Sequence, residues 1–406
     1  MNLVVYAVAT MDTKSDELAF VAQCLKNALC HGNVRVAVKM VDVGTLSPPS
    51  LQPDVTREQV LAGRSISADD RGTAVTAIGE ALTEFLLGEQ STGRVAGVIG
   101  IGGSGGTALI TAAMRALPIG FPKLMVSTVA SGNTAPYVDC SDITMMFSVV
   151  DIAGLNVVSQ RILANAAHAM AGMVSHLFEP LESRRCLGMT MFGVTTPCVN
   201  AVRKELENKG YDCLVFHATG TGGRAMEHLV RSGLIRGVLD ITTTEVADEI
   251  VGGVFPAGPN RFDALIQKGV PLVLSLGALD MVNFGGIDTV PQQFRDRNLH
   301  VHNAQVTLMR TTADENRQCA RWVADKLNRS TSPFVIVIPL RGVSMLDAEG
   351  QPFYDPEADA ALFEELEAQI EQTEQRRIVQ LPYHINDPEF SHALVEQFQM
   401  LVGHDL

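Results

Sequence analysis

Nine residues constrain this chain more than any others: Gly100-Ile101-Gly102-Gly103-Ser104-Gly105-Gly106-Thr107-Ala108. An apolar run from Val95 leads in, and an Ala/Leu-rich run to Leu117 leads out. That order reads as strand, glycine loop, helix. Residues without Cβ let backbone N–H groups approach a bound anion, and a helix N-terminus adds partial positive charge. Ser104 and Thr107 add hydroxyl donors. A tight turn between strand and helix would also use glycine, but five glycines in seven positions exceed what a turn needs. Phosphate and carboxylate both fit. A related loop, Thr219-Gly220-Thr221-Gly222-Gly223-Arg224, follows the apolar run Cys213–Phe216, so each half of the chain carries one.

Strand-length apolar runs alternate with helical segments along the whole chain. Strands are predicted over 3–9, 34–41, 95–101, 123–128, 143–150, 186–192, 213–216, 235–240, 270–275, 334–339 and 378–381. Helices are predicted over 15–30, 71–88, 155–178 and 356–375, with others after Thr196-Pro197 and after each glycine loop. Continuous apolar strands alternating with helices make an α/β protein of mostly parallel sheets. The polar stretch Glu179–Arg185 divides it into two doubly wound, Rossmann-like domains, 1–182 and 183–406, with a cleft between them. Both strand ends and glycine loops then fall at carboxyl edges, where such sheets bind ligands.

The net charge of −14 comes with no Lys/Arg block, which argues against a nucleic-acid surface but not against a small anion held by loop N–H groups. The seven cysteines are scattered, with no C-x-x-C, as in a reducing cytoplasm. The opening apolar run is short and lacks a basic leader, so it reads as a strand and not a signal peptide. No run reaches membrane-spanning length. Gly100-x-Gly102-x-x-Gly105 matches the dinucleotide pattern, but it follows the third strand and the next strand ends without an acidic residue for a ribose. No P-loop lysine motif or H-E-x-x-H is present. His300 and His302 share a strand face without a third metal ligand. His384-Ile385-Asn386-Asp387 either reaches a site or opens the last helix.

Two groups of polar residues lie at predicted strand ends. Thr10, Asp12, Thr13 and Lys14 follow the first strand, where Thr13 and Asp16 would also form a capping box. His217, Asp240, Thr242 to Thr244, Glu245 and Asp280 would gather at one edge of the second sheet. Of these, His217, Asp240 and Glu245 suit acid–base chemistry, although packing between domains would also explain polar strand ends.

Thr10-Met11-Asp12-Thr13-Lys14, the Gly100–Ala108 loop, Phe216-His217-Ala218-Thr219-Gly220, Leu239–Glu245, Gly277–Gly285 and Val306–Thr312 together resemble a family of bacterial and plant proteins. It is the family that contains the ATP-binding amino-terminal domain of the tomato mosaic virus resistance protein. The likeness spans nearly the whole chain. It implies two α/β subdomains, ATP in the first, and a homodimer. The plant domain blocks a viral replication protein and is followed by a barrel domain, expected to be missing from a chain ending at Leu406.

On that resemblance Gly102, Gly103, Ser104, Gly105, Gly106 and Thr107 would cradle the phosphates of ATP. Lys14 would supply positive charge, and Thr10, Thr13, Thr128 and Ser131 hydroxyl contacts. Asp12 would hold Mg²⁺, directly or through water. The second loop would take the anionic group of a second substrate, with Arg224 as its partner. Two classes then compete: an ATP-dependent enzyme acting on a small carboxylate or phosphorylated metabolite, and a nucleotide-gated binding protein with little or no turnover.

Overall fold

The computed structural model describes residues 3–30, 36–64, 71–176 and 184–403. Most of the polar stretch read as a domain boundary, 177–183, and the predicted start of the second strand at 34–35 lie outside them. The chain divides into two compact units, Met1–Leu181 and Glu182–Leu406.

In the first unit β1 (Leu3–Ala9), β2 (Val36–Asp42), β3 (Val95–Gly102), β4 (Lys123–Ser127) and β5 (Thr144–Phe147) form one sheet in the order β2-β1-β3-β4-β5. Every pairing is parallel. The inner strands are apolar almost throughout because helices cover both faces. Successive side chains point to opposite sides. Val5, Ala7, Ile99 and Ile101 pack with Leu18, Val21, Leu163 and Met170 of the helices Met11–Leu29 and Val157–Ser175. Tyr6, Val8, Val98 and Met125 pack with Ile78, Leu82, Ile110 and Met114 of the helices Arg71–Ser91 and Ser104–Ala116.

The first helix departs from expectation. It begins at Met11, with Thr10 as N-cap, and kinks at Lys14 (φ −134°, ψ 29°). The capping box predicted from Thr13 and Asp16 does not form: the backbone N–H groups of Thr13 and Lys14 already donate to Thr10 O, so the chain is helical before it reaches them.

In the second unit β6 (Arg185–Met191), β7 (Tyr211–His217), β8 (Ile235–Thr242), β9 (Leu272–Gly277), β13 (Phe334–Pro339) and β14 (Arg376–Leu381) form a parallel sheet ordered β14-β13-β9-β8-β6-β7. Counted from the start of each unit, both sheets read 2-1-3-4-5, and the second adds a sixth strand. Leu187, Met189, Val273 and Val335 pack on the helices Thr196–Asn208 and Pro388–Val402. The opposite face packs on Ala313–Leu327 and Pro356–Gln369.

The mostly parallel architecture expected from the sequence is found, with one small antiparallel sheet beside it. β10 (Met281–Phe284), β11 (Leu299–Asn303) and β12 (Val306–Arg310) make an antiparallel sheet in the order β10-β12-β11. Only Ala304 and Gln305 separate β11 from β12, too short a link for the crossover that a parallel pair requires.

Arg310 ties this small sheet down. Its Nη2 donates to Asp359 Oδ1 at 2.6 Å and lies 3.6 Å from Asp347 Oδ1, while Nε donates to Phe353 O at 2.7 Å. Three buried carboxylates, Asp280, Asp347 and Asp359, thus surround one guanidinium. Burial, then the neighbouring Asp347 charge, holds Asp280 and Asp359 well above the usual carboxylate range. Raised carboxylates keep protons that the unfolded chain releases near pH 4, so their stabilisation is complete in acid and lost as pH rises toward the folded values. Stability measured by urea denaturation is expected to fall as pH rises from 5 toward 7, the cluster titrating in coupled steps. Asp359→Asn should flatten that slope; an unchanged slope would place the protonated groups elsewhere.

Candidate functional site

β1 and β3 are neighbours, yet the helices that follow them leave to opposite faces of the sheet. Their carboxyl ends therefore part, which is where open parallel sheets bind ligands. Thr10 is the N-cap of the helix after β1 and Gly103 that of the helix after β3, and neither makes a side-chain capping hydrogen bond. Leading N–H groups of a helix lack intrahelical acceptors and carry partial positive charge. A cavity of about 180 Å³ lies at the two N-termini, lined by Thr10, Asp12, Thr13, Lys14, Gly103, Ser104, Gly105 and Gly106. Thr45, Leu46, Val75 and Leu109 complete it, and the sequence did not point to them. Asp12 is the link to two of these: its Oδ2 accepts from Thr45 N at 3.1 Å and Leu46 N at 3.0 Å, drawing that loop over the cavity.

The remaining residues expected here are placed unevenly. Gly102 and Thr107 are buried behind the loop. A Cβ on Gly102 would stand 3.1 Å from Gly106, so this glycine lets helix and strand touch. Thr107 Oγ1 is 2.6 Å from Ser127 Oγ, which anchors the helix to β4. Thr128 stands beside Gly103, whose Cβ would lie 3.8 Å from Thr128 Oγ1. Ser131 is exposed and does not line the cavity. Lys14 does line it, but its Nζ donates to Ile152 O at 2.7 Å.

The space around each missing Cβ separates the two glycine loops. A Cβ on Gly105 would meet nothing within 4 Å, and one on Gly106 would come no closer than 3.9 Å to Ile101 O. Packing does not require glycine there, so the bare backbone is left open to the cavity. In the second loop a Cβ on Gly220 would run into Pro256 O, on Gly222 into His217 O, and on Gly223 into Glu245 Oε1. Gly220 N also donates to Glu245 Oε2 at 2.7 Å. Those glycines serve the chain's own packing. The loops also sit at different places in the shared strand order: the first follows the third strand of its unit, the second follows β7, an edge strand. Thr221 is exposed and Arg224 half-buried on the helix Thr221–Arg231, and Thr219 lines a separate cavity.

The corresponding parting of strands in the second unit, between β6 and β8, is filled by the protein itself. Arg261 is completely buried there. Its Nη2 donates to Asp240 Oδ2 at 2.6 Å, Nε to Glu245 Oε1 at 2.5 Å, and Nη1 to Glu227 Oε1 at 3.2 Å. Burial opposes the guanidinium charge, but the three carboxylates outweigh it and raise the pKa. Thr190 donates to Asp240 Oδ1 at 2.7 Å, and Thr242 N donates to Thr190 Oγ1. Asp240 and Glu245 are thus brought together, at 0% exposure, with their oxygens engaged by Arg261, Thr190 and Gly220. His217 is not with them. It stands exposed at the end of β7, its ring edge-on to Phe192 with centroids 5.2 Å apart, and partial burial lowers its pKa.

Asp387 is the N-cap residue of the helix Pro388–Val402 and accepts from His384 N, so the His384 segment opens the last helix, and His384 and Asp387 also line a cavity of about 710 Å³. Asp280 belongs to the Arg310 cluster. Among the described residues no group of three or more His, Cys, Asp or Glu side chains is placed to hold a metal ion. Asp12, with one oxygen engaged, fits the single-carboxylate role usual for Mg²⁺ carried on phosphates. All seven cysteines are free thiols. Among the described residues no helix is long and apolar enough to cross a membrane.

The fold and this site define a protein of two Rossmann-like α/β units, with an open glycine loop at the switch point of the first. The chain belongs to the uncharacterised protein family UPF0261: the models of its N-terminal and C-terminal domains match residues 3–178 and 184–402. A UPF0261 protein of Rhizobium meliloti is 52% identical over 401 residues, covering 97% of this chain and 98% of that protein. The ToMV resistance protein Tm-1(GCR237) of Solanum lycopersicum is 48% identical over 415 residues, covering 97% of this chain but 55% of the tomato protein. Among solved structures, UDP-N-acetylglucosamine 2-epimerase of Rickettsia bellii aligns over 99% of this chain and 96% of its own at 11% identity and a TM-score of 0.24, too slight a likeness to argue from.

Two substitutions should separate the loops. Gly105→Ala, in open space on a helix, is expected to leave stability unchanged or raise it by up to about 1 kcal/mol, whereas Gly223→Ala, overpacked against Glu245, should cost about 1–3 kcal/mol. Arg261→Met leaves three buried carboxylates without their cation and should cost about 3–5 kcal/mol or prevent folding. Urea denaturation reads all three; a Gly223→Ala protein as stable as the parent would contradict the packing account.

Proposed function

We propose that the chain is an ATP-binding protein whose first unit seats the phosphates at the N-terminus of the helix Ser104–Ala116. The observation that carries this reading is the open space over Gly103, Gly105 and Gly106, in a cavity shared with Lys14 and the hydroxyls of Thr10 and Thr13. Backbone N–H groups from Ser104 to Gly106 would hold phosphate oxygens, with Ser104, Thr10 and Thr13 adding hydroxyls. Lys14 would leave Ile152 O to pair with a distal phosphate. Asp12 would hold the accompanying Mg²⁺, directly or through water, and the ion would neutralise phosphate charge there. The free cysteines suit a reducing, cytoplasmic compartment. By family resemblance the protein would act as a homodimer. The family resemblance of its motifs implies a nucleotide-binding unit, and the tomato resistance protein's role is not carried over.

A nucleotide-gated binding protein accords best with Asp240 and Glu245 being sealed against Arg261, since neither has an oxygen exposed to a substrate. An ATP-dependent enzyme acting on a small carboxylate or phosphorylated metabolite is the second reading. What favours it is His217, which stands exposed at the rim of a cavity, open to a solvated substrate, and is held toward its neutral, basic form by partial burial.

Calorimetry with ATP, ADP and AMP tests the site. Gly105→Val is expected to abolish ATP binding in a protein that melts like the parent, because a branched side chain blocks approach to the backbone. Lys14→Ala should weaken ATP by about 1.5–3 kcal/mol, as for a charge-assisted hydrogen bond, and AMP far less. Unchanged ATP affinity in folded Gly105→Val would remove the loop from the site. Incubation with ATP and pooled small carboxylic acids, following ADP, AMP and pyrophosphate, decides between the two readings. Acid-stimulated release lost in His217→Ala supports the enzyme; release that survives this change excludes His217 as its base.

A further inference from the structure

The second unit holds a cavity of another character. It measures about 240 Å³ and lies at the carboxyl ends of β6 and β7, under the β11–β12 hairpin. Phe192, Val194, Phe255 and Leu308 supply its apolar walls, and His217 and His302 its imidazoles. Thr219 and Asn303 add neutral polar groups, and among the described residues no Asp, Glu, Lys or Arg lines it.

These features narrow what would fit. The cavity opens to solvent at His217, His302 and Asn303 and offers a charged group no counter-ion in return for the water it would shed, so a neutral occupant fits it better. A dry apolar cavity of about 150 Å³ takes benzene, so this volume suits roughly ten non-hydrogen atoms. Phenylalanine walls favour a ring by offset or edge-on contact. The ring of His217 is already oriented edge-on to Phe192. Burial favours neutral imidazole, and neutral imidazole has one nitrogen that accepts a hydrogen bond. The walls are firmly held: Phe255 N donates to buried Asp248 Oδ2 at 2.8 Å, and Val194 O accepts from Asn386 Nδ2 at 3.0 Å.

We infer that this cavity is a binding site for a small, neutral aromatic molecule carrying one hydroxyl or N–H group, which His217 or His302 recognises. The inference is independent of nucleotide binding in the first unit.

Ligand-observed NMR and calorimetry on the intact chain, with phenol, indole, toluene and benzoate as probes, test it. Phenol and indole are expected to bind saturably. Toluene should bind about tenfold more weakly for want of a hydrogen bond, and charged benzoate more weakly still. Gly193 lines the cavity, and a Cβ there would meet nothing within 4 Å. Gly193→Leu should therefore fill it and abolish phenol and indole binding while melting and ATP affinity stay unchanged. Val306→Phe, on the opposite wall, is the second filling variant should the first not fold. His217→Ala with His302→Ala should erase the preference for phenol over toluene. Absence of saturable phenol and indole binding to the parent would overturn the inference. So would binding that persists in a folded filling variant, or a preference over toluene that survives loss of both imidazoles.

Discussion

A guanidinium with no access to water sits where the second sheet divides. Glu227, Asp240 and Glu245 converge on Arg261, and each carboxylate also fastens another element. Glu227 accepts from Phe262 N and Ala264 N, Asp240 from Thr190, and Glu245 from Gly220 N. The desolvation cost of four buried charges is repaid only if every partner stays in place. The network therefore dictates the course of the β7 loop, the Thr244–Val251 helix and the segment through Phe262 together. The glycines at 220 and 223 follow from it, because the chain passes too close to Pro256 and Glu245 for any side chain.

The first unit has the same strand order but no such plug. There the strand ends part around a cavity, and Lys14 and Asp12 reach only backbone groups of neighbouring loops. One topology thus yields two outcomes. Where the crevice is packed with paired charges it stabilises the unit. Where it is left to glycine and helix termini it stays available to a ligand.

This difference explains what the sequence disclosed. The strand–glycine–helix pattern around Gly103 is local, so the element, its place at a strand end and its company of Thr10 to Lys14 were all legible. The second loop looks alike because sequence records an absent Cβ but not what occupies its space; His217 O and Glu245 Oε1 fill it through folding. Arg261 escaped notice because its partners lie 16 to 34 positions away. Asp240 and Glu245 read as an acid–base pair for the same reason: their counter-ion was out of view. The antiparallel hairpin was legible in principle, since Ala304-Gln305 leaves no length for a crossover. The cavity at Phe192 was not, because its walls come from four separate stretches of chain.

The tether between Lys14 and Ile152 O has a consequence for communication within the first unit. Glu17, one turn further along the same helix, accepts from Gly154 N at 2.6 Å. Helix and loop are therefore joined at two points, and only the Lys14 point borders the cavity. An anion that draws the ammonium away would release one of these ties, while Glu17 and the buried side chain of Ile152 keep the loop seated on the helix beside the exposed Leu155 and Val157.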